Sequence, residues 1–323
     1  MEPRIEIVGA DLRPDMAVRL ASQGVGLLWR DDFPAARRLL AAMSRRLASR
    51  PADFYRYRQS RRNRARVLGM LLVEIGPDLR IDLPRAPDVR AAVEEAHGRP
   101  GRTPLTELLG MLSAHEWRVK GVPVEALGAR IHPHYGVFAP TRQDYVDLVA
   151  AAPLPDVRLA FDIGTGTGVL AAILARRGVP LVVATDISPA AVACARDNLR
   201  RLAPRAEVLE TDLFPAGRAD LLVCNPPWLP GSAHSSLDAA VFDPRSRMLT
   251  GFLAGAAEHL AEGGEAWLVL SDLAELLGLR TREDLLTRFA AAGLTVADRL
   301  DAPPRRVTGP RAEEVVSLWR LRR

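Results

Sequence analysis

Four polar tips in fixed order, each closing an apolar run, restrict the folding of this chain more than anything else in it. They are Asp162-Ile163-Gly164-Thr165-Gly166-Thr167-Gly168, Thr185-Asp186, Thr211-Asp212-Leu213-Phe214 and Asn225-Pro226-Pro227-Trp228. If the apolar runs are strands and the intervening stretches helices, right-handed βα crossovers bring all four tips to one edge of a parallel sheet. Three later runs, Gly263–Leu270, Leu294–Ala297 and Val315–Trp319, supply strands five to seven. The expectation is therefore an α/β, Rossmann-like, seven-stranded sheet.

Each tip has a chemical reading and a plain one. Gly164, Gly166 and Gly168 can take positive φ and let a ligand approach the backbone, or they can simply make a tight turn; alone, the two readings are evenly balanced. The spacing is Gly-x-Gly-x-Gly and position 169 is Val, unlike the Gly-x-Gly-x-x-Gly of dinucleotide sites. Asp162, just before the turn, would repel a pyrophosphate and attract an ammonium group. Asp186, 24 residues further on, can accept from both hydroxyls of a ribose. With Ser188-Pro189 it can equally open a helix. Asp212 can accept from an adenine amine, or be an ordinary loop acid.

The fourth tip is the most specific. Pro226 and Pro227 remove two backbone donors and fix φ, which leaves the carbonyls of Asn225 and Pro226 outside a regular ladder. An amide oxygen beside a rigid carbonyl suits a planar NH2 group, and Trp228 offers a flat surface on which such a group can stack. On its own this would be a proline-rich strand end with a buried tryptophan. Following three other tips, the site reading prevails.

At these residues the chain resembles the class I methyltransferases that use S-adenosylmethionine and carry an Asn-Pro-Pro-aromatic loop, which methylate planar nitrogens. The resemblance runs over roughly residues 130 to 323. It implies that Asp162, Gly164, Gly166 and Gly168 hold the methionine part of the cofactor, Asp186 the ribose, and Asp212 with Leu213 the adenine. Asn225, Pro226 and Trp228 would be the catalytic residues that hold the acceptor, with Pro227, Tyr135 and Phe138 lining its pocket.

A closer likeness is to the HemK-type glutamine methyltransferases, in which a β-hairpin joins a helical N-terminal domain to the catalytic one. Residues 116–124 and 131–140 look like that hairpin. Where the family usually continues Pro-Arg-Pro-Glu-Thr-Glu, this chain has Pro140-Thr141-Arg142-Gln143-Asp144-Tyr145, and its loop ends in Trp where Tyr is usual. The implied organisation is a helical substrate-recognition domain over 1–115, a hairpin linker over 116–140 and a catalytic domain over 141–323.

Methyl transfer from a sulfonium needs an in-line nucleophile but no metal or covalent intermediate, so positioning carries most of the rate. His132 and His134 lack a third ligand at metal spacing and read as hairpin side chains. Composition fits two domains: 323 residues with 48% hydrophobic content fill two cores. Two cysteines make no disulfide framework, and Cys224 reads as a small core residue. No apolar run reaches the length of a membrane helix and no leader is legible at Met1, so a cytoplasmic protein without membrane contact is expected.

Charge separates the two halves. Residues 1–130 carry 23 Lys and Arg against 16 Asp and Glu, a net +7 that leaves −2 for the rest of a +5 chain. Arginines interleave with Tyr55 and Tyr57 over residues 55–66, a composition that suits RNA or DNA contact. At helical spacing they point all round the circumference, so a solvated helix fits as well. Gly98 to Arg102 reads as a linker, with helices on either side.

Three functions follow. The first is an N-methyltransferase acting on a protein glutamine, in association with the ribosome. The second is a methyltransferase of an exocyclic amine of adenine or guanine in RNA or DNA. The third is a noncatalytic nucleic-acid-binding protein with a vestigial methyltransferase fold. The residues set no oligomeric state.

Overall fold

A computed structural model of the chain describes residues 4–48, 54–231, 241–302 and 314–323. It divides into two compact units, Met1–Glu116 and Trp117–Arg323.

The first unit corrects the expectation of a helical domain. It holds a four-stranded sheet in the order β1 (Ile5–Val8), β2 (Gly26–Trp29), β3 (Leu71–Ile75), β4 (Gly101–Pro104). The first three strands are parallel and β4 is antiparallel to β3. Helices α1 (Pro14–Ser22), α2 (Phe33–Arg46), α3 (Phe54–Leu68) and α4 (Arg90–Glu95) connect them. The stretch read as a linker, Gly98 to Arg102, runs into strand β4 at Gly101. Asp32 caps α2, accepting from the Ala35 amide at 3.0 Å, and Leu39, Leu40 and Met43 form its buried face. The arginine-rich segment is α3, where Arg64 donates to Ser44 and Arg66 to the Ser22 carbonyl.

Residues 116–120 are not hairpin either. They finish helix α5 (Leu105–Lys120), which stops at Gly121 with φ +69°. The hairpin is shorter: β5 (Val122–Val124) pairs antiparallel with β6 (Ala129–Ile131), and Gly128 at φ +58° turns the chain between them.

The second unit carries the expected seven-stranded sheet, in the order β14-β15-β13-β10-β7-β8-β9. The strands are β7 (Leu159–Ile163), β8 (Leu181–Asp186), β9 (Glu207–Glu210), β10 (Ala219–Cys224), β13 (Leu260–Ser271), β14 (Thr295–Ala302) and β15 (Val316–Arg322). β15 runs antiparallel to both β13 and β14, and the remaining pairs are parallel. Alternate residues enter two cores, as strands buried on both faces require. Ala160, Ala184, Val223 and Val269 pack toward α6 (Asp144–Ala151), α7 (Val169–Arg176) and α8 (Pro189–Leu202). Phe161, Ile163, Leu222, Cys224 and Leu268 pack toward α9 (Arg247–His259) and α11 (Arg282–Ala291), the short α10 (Leu273–Leu276) lying between these two helices in the chain. Cys224 is a core residue, 0% exposed. Among the described residues no helix is long and apolar enough to cross a membrane.

Candidate active site

Sheet register sets the four tips side by side. Ile163 lies opposite Cys224 on one side and Thr185 on the other, and Asp186 lies opposite Glu210. The strands are parallel, so the glycine turn, Asp186, Asp212 and Asn225 all leave the same edge.

Gly164, Gly166 and Gly168 take φ of +71°, +56° and +81°, a region where a side chain costs about 1–2 kcal/mol. Around Gly166 nothing lies within 4 Å of where a Cβ would stand, so the turn opens a cradle against bare backbone. At Gly164 that position is taken by the Met248 methyl, 2.1 Å away. The Asp186 carboxylate crosses from the neighbouring strand to accept from the Gly166 amide at 3.0 Å and from the Ser188 amide at 2.9 Å. Ser188 also caps α8 through the Ala191 amide, so Asp186 braces a helix start and faces the cradle together. Burial pushes the Asp186 carboxyl above its ordinary range, although these amides pull the other way.

Asp162 is more deeply placed than its sequence position suggested. It is 1% exposed, and one oxygen accepts from the Thr165 hydroxyl at 2.6 Å and the Ala171 amide at 3.0 Å. The carboxylate thereby ties the turn to the start of α7. Burial raises it to about 6.

On the far side, Asp212 is exposed and pairs with Arg247 at 2.6 Å. Leu213 has φ +67°, and its carbonyl accepts from the Thr185 hydroxyl at 2.6 Å. One face of α9 receives these residues: Gly251 makes room for Leu213 and Gly255 for Phe214. Met248, seven residues before Gly255, places that face over the glycine turn.

Pro226 is buried, and Asn225, Pro227 and Trp228 are half-buried. The indole N–H of Trp228 donates to Asn225 Oδ1 at 2.9 Å, and the Arg142 guanidinium lies over the indole, 4.8 Å from the ring centroid. One face of the tryptophan read as a stacking platform is therefore taken. The chain then pairs Leu229-Pro230 (β11) with Phe242-Asp243 (β12), and buried Asp243 accepts from the Met248 and Leu249 amides. This links the proline loop to the residue that rests on Gly164. Tyr135 is half-buried and Phe138 42% exposed. Their segment is fastened to α8 through Asn198, which accepts from the His132 amide and donates to the carbonyls of His132 and Thr167. Thr167 belongs to the glycine turn, so the segment starts beside it.

The sheet edge with its glycine turn and proline loop lies within a stretch of the chain that is similar to known proteins. The family model for the methyltransferase small domain matches residues 128–282. The chain is an S-adenosylmethionine-dependent methyltransferase, similar to those of the HemK type. The release factor glutamine methyltransferase of Mycolicibacterium smegmatis is 29% identical over 241 residues, covering 70% of this chain and 81% of that protein. Enzymes of the same name from Geobacter sulfurreducens and Neisseria gonorrhoeae are 33% and 32% identical, over 52% and 63% of their lengths.

In this methyltransferase the tips were legible and their supports were not. Arg142, Asn198, Asp243 and Met248 had no marked spacing. His132 Nδ1 donates to the Arg118 carbonyl (2.6 Å) and His134 pairs with Asp197 (2.9 Å), which gives both histidines structural partners.

Proposed function

We propose that this methyltransferase modifies the side-chain amide nitrogen of a glutamine in a protein, with a peptide-chain release factor as the substrate. The observation that carries the reading is the placement of Asn225 at the same sheet edge as the glycine turn, following a buried strand that holds it rigidly. The names of the relatives support the choice of glutamine.

In this reading the turn of Gly164, Gly166 and Gly168 admits the methionine part of S-adenosylmethionine, with bare backbone open at Gly166 and Asp162 fixing the turn from beneath. Asp186 receives the ribose hydroxyls, and Asp212 with Leu213 borders the adenine. The bound cofactor supplies an electrophilic methyl group. The residues of the loop do the rest: Asn225 Oδ1 and the Pro226 carbonyl accept the two N–H bonds of the amide, with Pro227, Tyr135 and Phe138 around it. Two acceptors hold the nitrogen in line and stabilise the positive charge that grows on it, each bond strengthening as the N–H becomes more acidic.

Incubation with a purified release factor and methyl-labelled cofactor, followed by peptide mass spectrometry, is expected to place one methyl group on a glutamine. Label that survives protease but is released by nuclease would replace this reading with the nucleobase one. Asn225→Ala is expected to lower kcat by about 10²–10³ while cofactor affinity changes by less than about threefold. Equal losses in both would contradict the role given to Asn225.

A further inference from the structure

The proline loop contains its own clamp. An indole N–H is a donor only, so the 2.9 Å bond from Trp228 fixes which end of the Asn225 amide faces the ring: the oxygen, never the NH2. A carbonyl-type oxygen has two acceptor positions. With one taken by the indole, the other is left at a defined angle. A tyrosine hydroxyl both donates and accepts, and would leave the amide free to turn over.

The indole is itself held from outside the loop. Arg142 covers one face, and its guanidinium is fixed by two carboxylates whose side chains are each 1% exposed: Asp144 at 2.7 Å and Glu314 at 2.9 Å. Asp144 opens α6, and Glu314 accepts from the hydroxyl of Ser271, the last residue of β13, at 2.5 Å. A planar guanidinium can stack on a ring and pair with carboxylates at once, which an ammonium cannot. The orientation of a single amide is thus referred back to a helix start and a central strand.

We propose that Trp228 and Arg142 are positioning residues that lock the Asn225 amide with its oxygen toward the acceptor. This rests on the reading that Asn225 receives the acceptor N–H. Trp228→Phe keeps the ring and its arginine contact and removes only the donor. With the release factor as acceptor, it is expected to lower kcat about 10–100-fold with unchanged cofactor affinity. Combined with Asn225→Ala it is expected to cause no further loss, because the indole acts through that amide. A Trp228→Phe enzyme within twofold of the parent, or losses that multiply in the double variant, would overturn the proposal. Should Trp228→Phe fail to fold, as judged by its thermal transition, Arg142→Lys carries the same test: it keeps the charge between the two carboxylates and loses the planar stack. Its loss in kcat should likewise vanish in the Asn225→Ala background, and a multiplied loss would overturn the proposal. If Asn225→Ala alone retains full activity, the failure lies with the underlying reading of the loop, which separates the two.

Discussion

The two units build the same local device and put it to different ends. In the first, Asp31 follows β2 and accepts from the Ala10 amide in the turn after the neighbouring β1, at 3.1 Å. In the second, Asp186 ends β8 and accepts from the Gly166 amide after the neighbouring β7, at 3.0 Å. The surroundings separate them. Backbone amides of Asp32 and Ala10 hold the Asp31 carboxyl below its ordinary range, whereas burial drives Asp186 above it. Gly9, in the Asp31 turn, is not among the positive-φ residues, and a Cβ there would meet the Asp11 and Asp31 side chains at an ordinary 3.5 Å. A carboxylate bridging two strand ends is therefore a way of closing a parallel sheet. A turn of left-handed glycines with open space above one of them, Gly166, is what makes it a candidate binding edge.

The largest difference between the units should appear in pH dependence. β7 buries a carboxylate, Asp162, while β1 is Ile5-Glu6-Ile7-Val8, and its only acid is not buried. The native state holds the Asp162 proton up to about pH 6, against an ordinary 3.8 in the unfolded chain. Its contribution to stability is thus full below about pH 3.8 and is lost as pH rises through about 6. The expected loss is on the order of 3 kcal/mol between pH 4 and pH 7. Urea unfolding of the parent and of Asp162→Asn across that interval checks it: the stability of the parent should fall relative to the variant. A constant difference would show that the buried acid is not what distinguishes the catalytic sheet.

Next in size is a pair of glycine substitutions. Gly164→Ala places a side chain at φ +71° and displaces the Met248 methyl, so it should cost about 1–3 kcal/mol of unfolding free energy and weaken cofactor binding. Gly9→Ala should stay within about 0.5 kcal/mol and leave cofactor binding alone. Denaturant midpoints and calorimetric titration with the cofactor measure both. If the two variants behave alike, the distinction between a structural turn and a cradle fails.

The same contrast decided what could be read from the sequence. In the second unit each strand ends in a residue that few other environments would favour, so seven strands and their shared edge were legible. In the first unit the strands are four or five residues long and hidden in helix-like composition. Gly26-Leu27-Leu28-Trp29 is buried on both faces, so it shows no alternation, and leucine is a good helix former. Leu71–Ile75 does alternate, but only Gly69-Met70 separates it from α3, and the two read as one apolar segment. The hairpin was placed too early because Trp117-Arg118-Val119 looks strand-like, yet four turns of α5 carry it as helix. Within the site, glycines and prolines were visible since their backbone chemistry is local. Arg142 was not, because its meaning lies in Trp228 and in Glu314, 172 residues away.

The two aspartates sharpen the comparison most, and the smallest effect expected is that of Asp31→Asn. Asp186→Asn keeps one oxygen to accept from the Gly166 or the Ser188 amide, so the fold should survive. The charge that would receive two ribose hydroxyls is gone, and hydrogen bonds to a charged group are worth about 1.5–3 kcal/mol, which corresponds to a roughly 10- to 100-fold weaker cofactor Kd. Asp31→Asn keeps an acceptor for Ala10 in the same way, in a turn with no cradle to serve. Its cofactor Kd should equal that of the parent, and its unfolding midpoint should shift less than in Gly164→Ala. Asp31 also gains from being ionised, since its carboxyl sits below the ordinary range; whatever stability it adds is present above pH 3.8 and lost as pH falls, the opposite sense to Asp162. Parent and Asp31→Asn midpoints should therefore converge on acidification. Convergence on raising the pH instead would mean that the amides of Ala10 and Asp32 do not stabilise the charge, and the likeness between the two turns would be one of shape alone.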